Sequence, residues 1–164
     1  MNKCEKRTLV RKKRMVESDN EARIPKVNAM QQFKIRGQDD QGSGYFGAPR
    51  KNRVHNGVDL ICESGLYIKS RTHGTVTKIG YPYDPADEKK GHLRYVEVTF
   101  DGNRFRYFYL DPMVQVGDKI VAGDVIGCSQ DLTEIYTGIT QHFHFEWIGP
   151  DGEFVDPTSM FDLL

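Results

Sequence analysis

The sequence predicts a mainly β domain of antiparallel strands, arranged as two packed sheets or one strongly curved sheet. Short β-branched and aromatic runs follow Gly57, and clusters of Gly, Asp and Pro separate them. No long helical pattern follows Phe33. A length of 164 residues suits a single core. We therefore expect a compact antiparallel sheet or sandwich.

The predicted strands are punctuated by turns in a regular order. In chain order they are VDLI, LYIKS, GTVTKIGY, RYVEVTF, RFRYFYL, two very short strands within GDKIVAGDVIG, and HFHFEWI. The dipeptide Asp101-Gly102 predicts a tight hairpin between RYVEVTF and RFRYFYL. The segment PYDPADEKKGH, with two prolines and five charges, is predicted to be a surface loop.

A basic N-terminal arm is predicted over residues 1–37, before a domain over residues 38–164. Residues 1–16 carry seven lysines and arginines against one glutamate, although the whole chain balances 23 basic with 23 acidic residues. The composition of the arm is compatible with a short helix. Such an arm favours docking to a partner, with a solvated tail as the alternative. Because no aromatic cluster accompanies it, we do not expect a nucleic-acid module.

Composition also excludes other classes of protein. Mean hydropathy is −0.59, and no run approaches the ~20 apolar residues of a membrane span. No apolar run of ~7–15 residues follows the first basic residues, so we expect no signal peptide. Cys4, Cys62 and Cys128 lack a Cys-x-x-Cys spacing, which argues against a disulfide framework or a thiolate zinc site. We expect free cysteines, with a disulfide between Cys62 and Cys128 as the alternative.

The pair of histidines in Gln-His-Phe-His-Phe is the most informative local feature. Residues i and i+2 of a strand point to the same face. His142 and His144 are therefore predicted to project together, with Phe143 and Phe145 packed on the opposite side. The alternative is an exposed or hydrogen-bonded pair without a metal.

A second feature is His55-Asn-Gly-Val-Asp59, at the point where a Gly-rich loop enters a strand. With one histidine of the pair, it supplies a set of two histidines and one aspartate. Three such ligands with one open position are typical of a catalytic zinc site. The residues alone do not decide which histidine of the pair binds the metal. The spare one is placed to move a proton or to stabilise an oxyanion.

The motifs HNGVD, GTVTKIG, VGDKIVAGDVIG and HFHFEW occur in the order and approximate spacing of the lysostaphin/LytM-type zinc endopeptidases. The chain resembles this family over roughly residues 42–156. The resemblance implies a β-rich peptidase that binds one Zn²⁺ and cuts peptide bonds of bacterial peptidoglycan. It implies that His55, Asp59 and His144 are the zinc ligands and that His142 is a catalytic histidine.

One position departs from this pattern. Where the family usually has a second catalytic histidine, before a Leu-Ser, this chain has Tyr109 in Tyr-Phe-Tyr-Leu-Asp. A phenol donates hydrogen bonds but, with a pKa near ~10, is a poor base at neutral pH. The leukocyte chemotaxin-type proteins, which are similar to this chain here, keep the fold and zinc without being regarded as peptidases. We therefore expect Tyr109 to donate a hydrogen bond to the oxyanion of the reaction. The alternative is that the tyrosine indicates a catalytically inactive protein.

Three further residues are candidates for the walls of a groove. Tyr45 and Phe46 lie in the loop before His55, and a minor hydrophobic plug is the alternative interpretation of them. His92 lies in a loop that borders the cleft in the resembled family. A solvent-exposed loop histidine is the alternative for His92.

The sequence therefore predicts a zinc metalloendopeptidase acting on peptidoglycan peptides, with a catalytically inactive zinc-containing binding module as the alternative. A docking arm without an export signal favours a bacteriophage virion or tail component, with a lysis enzyme as the alternative. The arm is then expected to contact a tail or baseplate protein. The enzyme would be made in the cytoplasm and carried or released to the cell wall.

Overall fold

The computed structural model describes residues 31–161 and Leu163. These residues form β-strands and one 3₁₀ turn, and no α-helix lies among them. Their bounds are β1 Val58–Ile61, β2 Tyr67–Lys69, β3 Gly74–Gly80, β4 Tyr95–Phe100, β5 Asn103–Phe108, β6 Leu110–Pro112, β7 Lys119–Ile120, β8 Val125–Ser129, β9 His142–Ile148, β10 Phe154–Val155 and the 3₁₀ turn Thr158–Met160. The basic residues 1–16 of the predicted arm lie outside the described residues.

The strands form two antiparallel sheets. Among the described residues, the larger sheet has seven strands in the order β1-β9-β5-β4-β3-β7, with β10 also paired to β9. The smaller sheet has the order β2-β8-β6. This confirms the predicted mainly antiparallel β fold. In the same part of the chain, no helix is long and apolar enough to cross a bilayer.

The hairpin between β4 and β5 has the predicted two-residue turn. Phe100 pairs with Asn103 across it. Asp101 has φ 48° and Gly102 has φ 76°, so both central residues are left-handed. This is the conformation of a type I′ turn, whose twist matches the flanking strands and which Asp-Gly favours.

Strand β9 lies between β1 and β5 in the larger sheet. Phe143 and Phe145 point into the hydrophobic core, where they are 1% and 0% exposed. His142 and His144 occupy the alternate positions and meet Asp59 on the other face. The two-residue period thus separates a core face from a polar face, as predicted.

The packed domain begins before the predicted boundary between residues 37 and 38. Phe33 is buried, with its ring 5.2 Å from that of Phe143 and 6.1 Å from that of Phe161. Ile35 is buried in the same core and forms an isolated β-bridge with Leu60. The part of the arm that the structure describes therefore belongs to the domain. The sequence did not predict this burial, because Phe33 and Ile35 stand among polar residues and form no periodic apolar pattern.

The structure excludes a disulfide between Cys62 and Cys128. Cys62 is a buried free thiol and Cys128 is buried in β8, so the Cys62–Cys128 bridge is not formed. Burial raises the pKa of the Cys62 thiol to about 12. Cys62 is therefore a protonated packing residue at neutral pH.

Candidate metal centre

The pairing of β1 with β9 brings two candidate ligands together. Asp59 and His144 are direct cross-strand partners, and Ile61 pairs with His142. Side chains of directly opposed residues lie on the same face, only ~4.5–5.5 Å apart at Cβ. The register of one strand pair therefore sets Asp59 beside both histidines of the pair.

The loop before β1 supplies the third candidate. The main-chain N–H of His55 donates to the Ala48 carbonyl at 2.9 Å, and its own carbonyl accepts from Gly47 at 2.8 Å. Gly57 allows this loop to pass close over β9, because a Cβ there would lie 2.7 Å from Cε1 of His144 and would also collide with the Phe145 carbonyl oxygen. Position 57 in HNGVD therefore requires glycine, because the loop passes too close to β9 to leave room for a Cβ.

His55, Asp59 and His144 form one compact cluster of donor atoms. One atom from each lies within 4.8 Å of the others. Asp59 Oδ1 is 2.8 Å from His144 Nδ1 and 3.2 Å from His55 Nε2, and the two nitrogens are 3.1 Å apart. Two imidazole nitrogens and a carboxylate oxygen are ligands that zinc accepts. The donor set and its convergence therefore fit a zinc ion.

Hydrogen bonds fix each histidine from behind. His55 Nδ1 donates to the Tyr45 carbonyl at 3.0 Å, which leaves Nε2 directed at the cluster. His144 Nε2 donates to Glu146 Oε1 at 3.1 Å, which leaves Nδ1 directed at the cluster. Partners of this kind set the tautomer of metal-binding histidines and strengthen them as ligands.

Buried charges interact strongly at this centre. Burial opposes the charge of His144, but hydrogen bonds to Asp59 and Glu146 outweigh it and raise the pKa of His144 to about 9. The pKa of Asp59 lies well below its ordinary value: burial alone would raise it, and the bonds to His144 and His55 prevail. Without a metal, the cluster therefore pairs a carboxylate with a protonated imidazole.

His142 lies beside the cluster with a defined tautomer. Its Nδ1 donates to the Thr140 carbonyl at 2.7 Å, so Nε2 carries the lone pair. Nε2 is 3.6 Å from Asp59 Oδ2. Burial lowers the pKa of His142, with Asp59 opposing the shift in part. A neutral imidazole thus presents an acceptor nitrogen to the centre.

Tyr109 stands between β5 and β6 in a left-handed conformation, with φ 67°. Its ring meets that of His142 edge-on, with centroids 5.9 Å apart. Tyr83 and Tyr136, whose hydroxyls lie 2.7 Å apart, are the neighbouring phenols that act on Tyr109. Burial first, and then Tyr83 and Tyr136, hold the pKa of Tyr109 well above its ordinary value. The phenol is therefore a protonated donor at neutral pH.

The candidate groove residues lie in different settings. Tyr45 is 52% exposed and contacts the centre through its carbonyl, whereas Phe46 is half-buried. His92 is exposed and lies outside the metal cluster, on a cavity of about 620 Å³ that Asp111 and Glu134 also line.

The sequence missed two residues of the centre. Arg36, which was assigned to the arm, is buried and donates from Nε and Nη2 to Asp59 Oδ2, at 3.1 and 2.9 Å. No local pattern marks it, because the contact spans 23 residues. Glu146 lies two residues after His144 in β9, so the alternation of the strand was a usable signal for it.

The family model for Peptidase family M23 matches residues 53–157, which include every residue of the candidate metal cluster. The chain belongs to peptidase family M23. Members of this family are zinc metallopeptidases, and the predicted resemblance to lysostaphin/LytM-type proteins is confirmed.

Chemotaxin-2 proteins and bacterial peptidase structures are among the known proteins similar to this M23 chain. Leukocyte cell-derived chemotaxin-2 of Mus musculus is 30% identical over 125 residues, covering 76% of this chain and 78% of its own. The Bos taurus protein of that name is 29% identical, with coverages of 76% and 77%. The structure of LytU has a TM-score of 0.58 at 26% identity, covering 80% of this chain and 86% of that chain.

The catalytic domain of the antimicrobial peptidase lysostaphin from Staphylococcus simulans has a TM-score of 0.56 at 23% identity, with coverages of 77% and 90%. That likeness supports the shared fold. The predicted similarity to chemotaxin-type proteins is also confirmed.

Proposed function

We propose that this M23 chain is a zinc endopeptidase that hydrolyses peptide bonds of bacterial peptidoglycan. The observation that carries the proposal is the position of His142 Nε2, an acceptor nitrogen 3.6 Å from Asp59 Oδ2 at the edge of the cluster. A structural metal site would not need a neutral imidazole directed at it. Family membership supports peptide hydrolysis as the reaction.

His55, Asp59 and His144 would hold the zinc ion. When bound, zinc supplies a water of lowered pKa and a Lewis acid for the substrate carbonyl. His142 accepts the proton of the attacking water at Nε2 and delivers it to the leaving amine. The bond from Nδ1 to the Thr140 carbonyl keeps Nε2 in the basic tautomer during the first of these transfers.

Tyr109 is proposed to donate its hydroxyl proton in a hydrogen bond to the oxyanion of the tetrahedral intermediate. Its contact with His142 places the ring beside the proton-transfer residue, and its raised pKa keeps the hydroxyl protonated. A preorganised donor of this type contributes about 10²–10³ in rate. The role needs no basic group at this position.

The test is digestion of purified peptidoglycan of several cross-bridge types by the zinc-loaded protein, followed by chromatography of soluble muropeptides. We expect new peptide fragments from at least one type. His144→Ala is the control that removes a ligand. Intact peptidoglycan of every type, with zinc bound to the protein, would contradict the proposal.

A second candidate is a zinc-containing binding module without catalysis. Tyr109 in place of the family's usual histidine and the similarity to chemotaxin-2 favour it. This candidate predicts that His142→Ala leaves peptidoglycan binding intact, whereas His144→Ala lowers the melting temperature. Loss of hydrolysis in His142→Ala with unchanged zinc binding would exclude it.

A bacteriophage setting stays a prediction. The catalytic domain of a mutant of the prophage-encoded M23 protein EnpA from Enterococcus faecalis has a TM-score of 0.55 at 22% identity, covering 80% of this chain and 93% of that chain, and this likeness supports only the shared fold. Binding of the basic residues 1–16 to a tail or baseplate protein is equally a proposal. Immunogold labelling of purified virions would test these two proposals, and the absence of label would contradict them.

A further inference from the structure

The two carboxylate oxygens of Asp59 have different partners. Oδ1 faces the donor cluster, 2.8 Å from His144 Nδ1 and 3.2 Å from His55 Nε2. Oδ2 accepts two hydrogen bonds from Arg36, from Nε at 3.1 Å and Nη2 at 2.9 Å. The side chains of Asp59 and Arg36 are only 4% and 3% exposed, so water does not compete for these bonds.

Arg36 is itself held rigidly. Its Nη1 donates to the Gly42 carbonyl at 2.7 Å and pairs with Asp39 Oδ1 at 2.6 Å. Its main-chain N–H donates to the Asp59 carbonyl at 2.9 Å. A Cβ on Gly44 would lie 2.7 Å from the Arg36 carbonyl oxygen and 2.8 Å from the Asp59 Cβ. The guanidinium therefore has a fixed position against the carboxylate.

We propose that Arg36 is a positioning residue that restricts Asp59 to one metal-binding oxygen and so keeps a coordination position open. The inference rests on the proposed zinc site. A charge-assisted pair of bonds to Oδ2 is strong and directional. A carboxylate released from it can turn and offer both oxygens to a metal, which fills the position that water or substrate takes in catalytic zinc sites.

The test compares three variants of the full chain. Arg36→Met removes the charge and the hydrogen bonds. Arg36→Lys keeps the charge but loses the planar fork that donates twice to Oδ2. Arg50→Met is the matched control, because the charge of Arg50 also acts on Asp59 while its side chain donates to the Ser43 carbonyl at 2.8 Å instead of to the carboxylate.

Two metal readouts are measured on each variant. Competition with a chelator gives the Zn²⁺ dissociation constant. The visible spectrum of the Co²⁺-loaded protein reports coordination number, because four-coordinate Co²⁺ absorbs more strongly than five-coordinate Co²⁺. Circular dichroism checks that each variant is folded.

We expect Zn²⁺ affinity to fall by about 10–100-fold in Arg36→Met, with weaker Co²⁺ absorption in both Arg36 variants and none of these changes in Arg50→Met. Native affinity and a native Co²⁺ spectrum in folded Arg36→Lys would overturn the proposal, since the fork would then be dispensable. These readouts need no turnover, so they decide the role of Arg36 even if peptidoglycan is not the substrate.

Discussion

Tyr109 combines an unusual backbone conformation with a position at the metal centre. A left-handed non-glycine residue costs of order 1–3 kcal/mol and persists where its surroundings demand it. Here the main-chain N–H of Tyr109 donates to the Arg94 carbonyl at 2.7 Å, and its carbonyl accepts from Gln130 at 2.8 Å. The strained residue is therefore fixed with its ring against His142.

The first prediction concerns the Tyr109 hydroxyl. Tyr109→Phe keeps the ring but removes the donor, so we expect kcat for peptidoglycan cleavage to fall by about 10²–10³ while Zn²⁺ affinity stays native. Tyr81→Phe is the control, because it alters a tyrosine that is 46% exposed and stacks on Arg94. Equal kcat in the native protein and Tyr109→Phe would rule out the proposed role.

The second prediction concerns Glu97, whose side chain is 7% exposed. Burial alone would raise its pKa, but bonds from Arg106 at 2.8 Å and Thr77 at 2.9 Å lower it below the ordinary value. A carboxylate of lowered pKa stabilises the fold above its unfolded-state pKa, and this stabilisation is lost as pH falls through the folded-state pKa.

We therefore expect Glu97→Gln to lower the free energy of unfolding at pH 7 by about 1–3 kcal/mol. The difference from the native protein should shrink as pH falls below about 4.5. Urea titrations at pH 7, 5 and 3 measure it. Glu153→Gln is the exposed control, and a Glu97→Gln deficit that is constant with pH would contradict the assignment.

At the scale of elements, the pairing of β1 with β9 builds most of the centre. The alternation in HFHFEWI was sufficient to predict which side of β9 is polar, and Asp101-Gly102 was sufficient to predict the β4–β5 turn. The contact of Arg36 with Asp59 was not predictable, because it joins segments 23 residues apart and depends on tertiary packing. Local patterns thus identified the elements, but not the long-range contacts that complete the site.

The third prediction tests the close approach of the His55 loop to β9. A Cβ at position 57 would lie 2.7 and 2.9 Å from two atoms of the His144 ring. We expect Gly57→Ala to lower the free energy of unfolding by about 1–3 kcal/mol and to weaken Zn²⁺ binding by displacing His144.

Gly37→Ala is the matched control for this prediction, because a Cβ there meets nothing within 4 Å. Urea unfolding and chelator competition provide the two measurements. Native Zn²⁺ affinity in Gly57→Ala would contradict the tight packing of the His55 loop against His144.

At the scale of the whole molecule, one core extends beneath the metal centre. Phe33, from the segment before β1, and Phe161, from the end of the chain, both pack on Phe143. The same strand that carries His142 and His144 on one face thus gathers both ends of the described chain on the other. Stability of the core and geometry of the centre are therefore linked through β9.

The fourth prediction follows from the burial of Phe33, which is 4% exposed. Phe33→Ala is expected to lower the free energy of unfolding by about 3–5 kcal/mol, as for other buried aromatic residues. Val116→Ala, at a side chain that is 61% exposed, is the control. Urea unfolding that is unchanged by Phe33→Ala would restore the predicted boundary after residue 37.

The central claim is that this M23 centre hydrolyses peptide bonds with His142 as the proton-transfer residue. The most direct measurement is mass spectrometry of muropeptides after digestion of peptidoglycan in H₂¹⁸O, with the native protein, His142→Ala and His144→Ala. We predict fragments whose new carboxyl group carries one ¹⁸O, made by the native protein and reduced about 10²–10⁴-fold in His142→Ala. Absence of labelled fragments from the zinc-loaded native protein would contradict the claim.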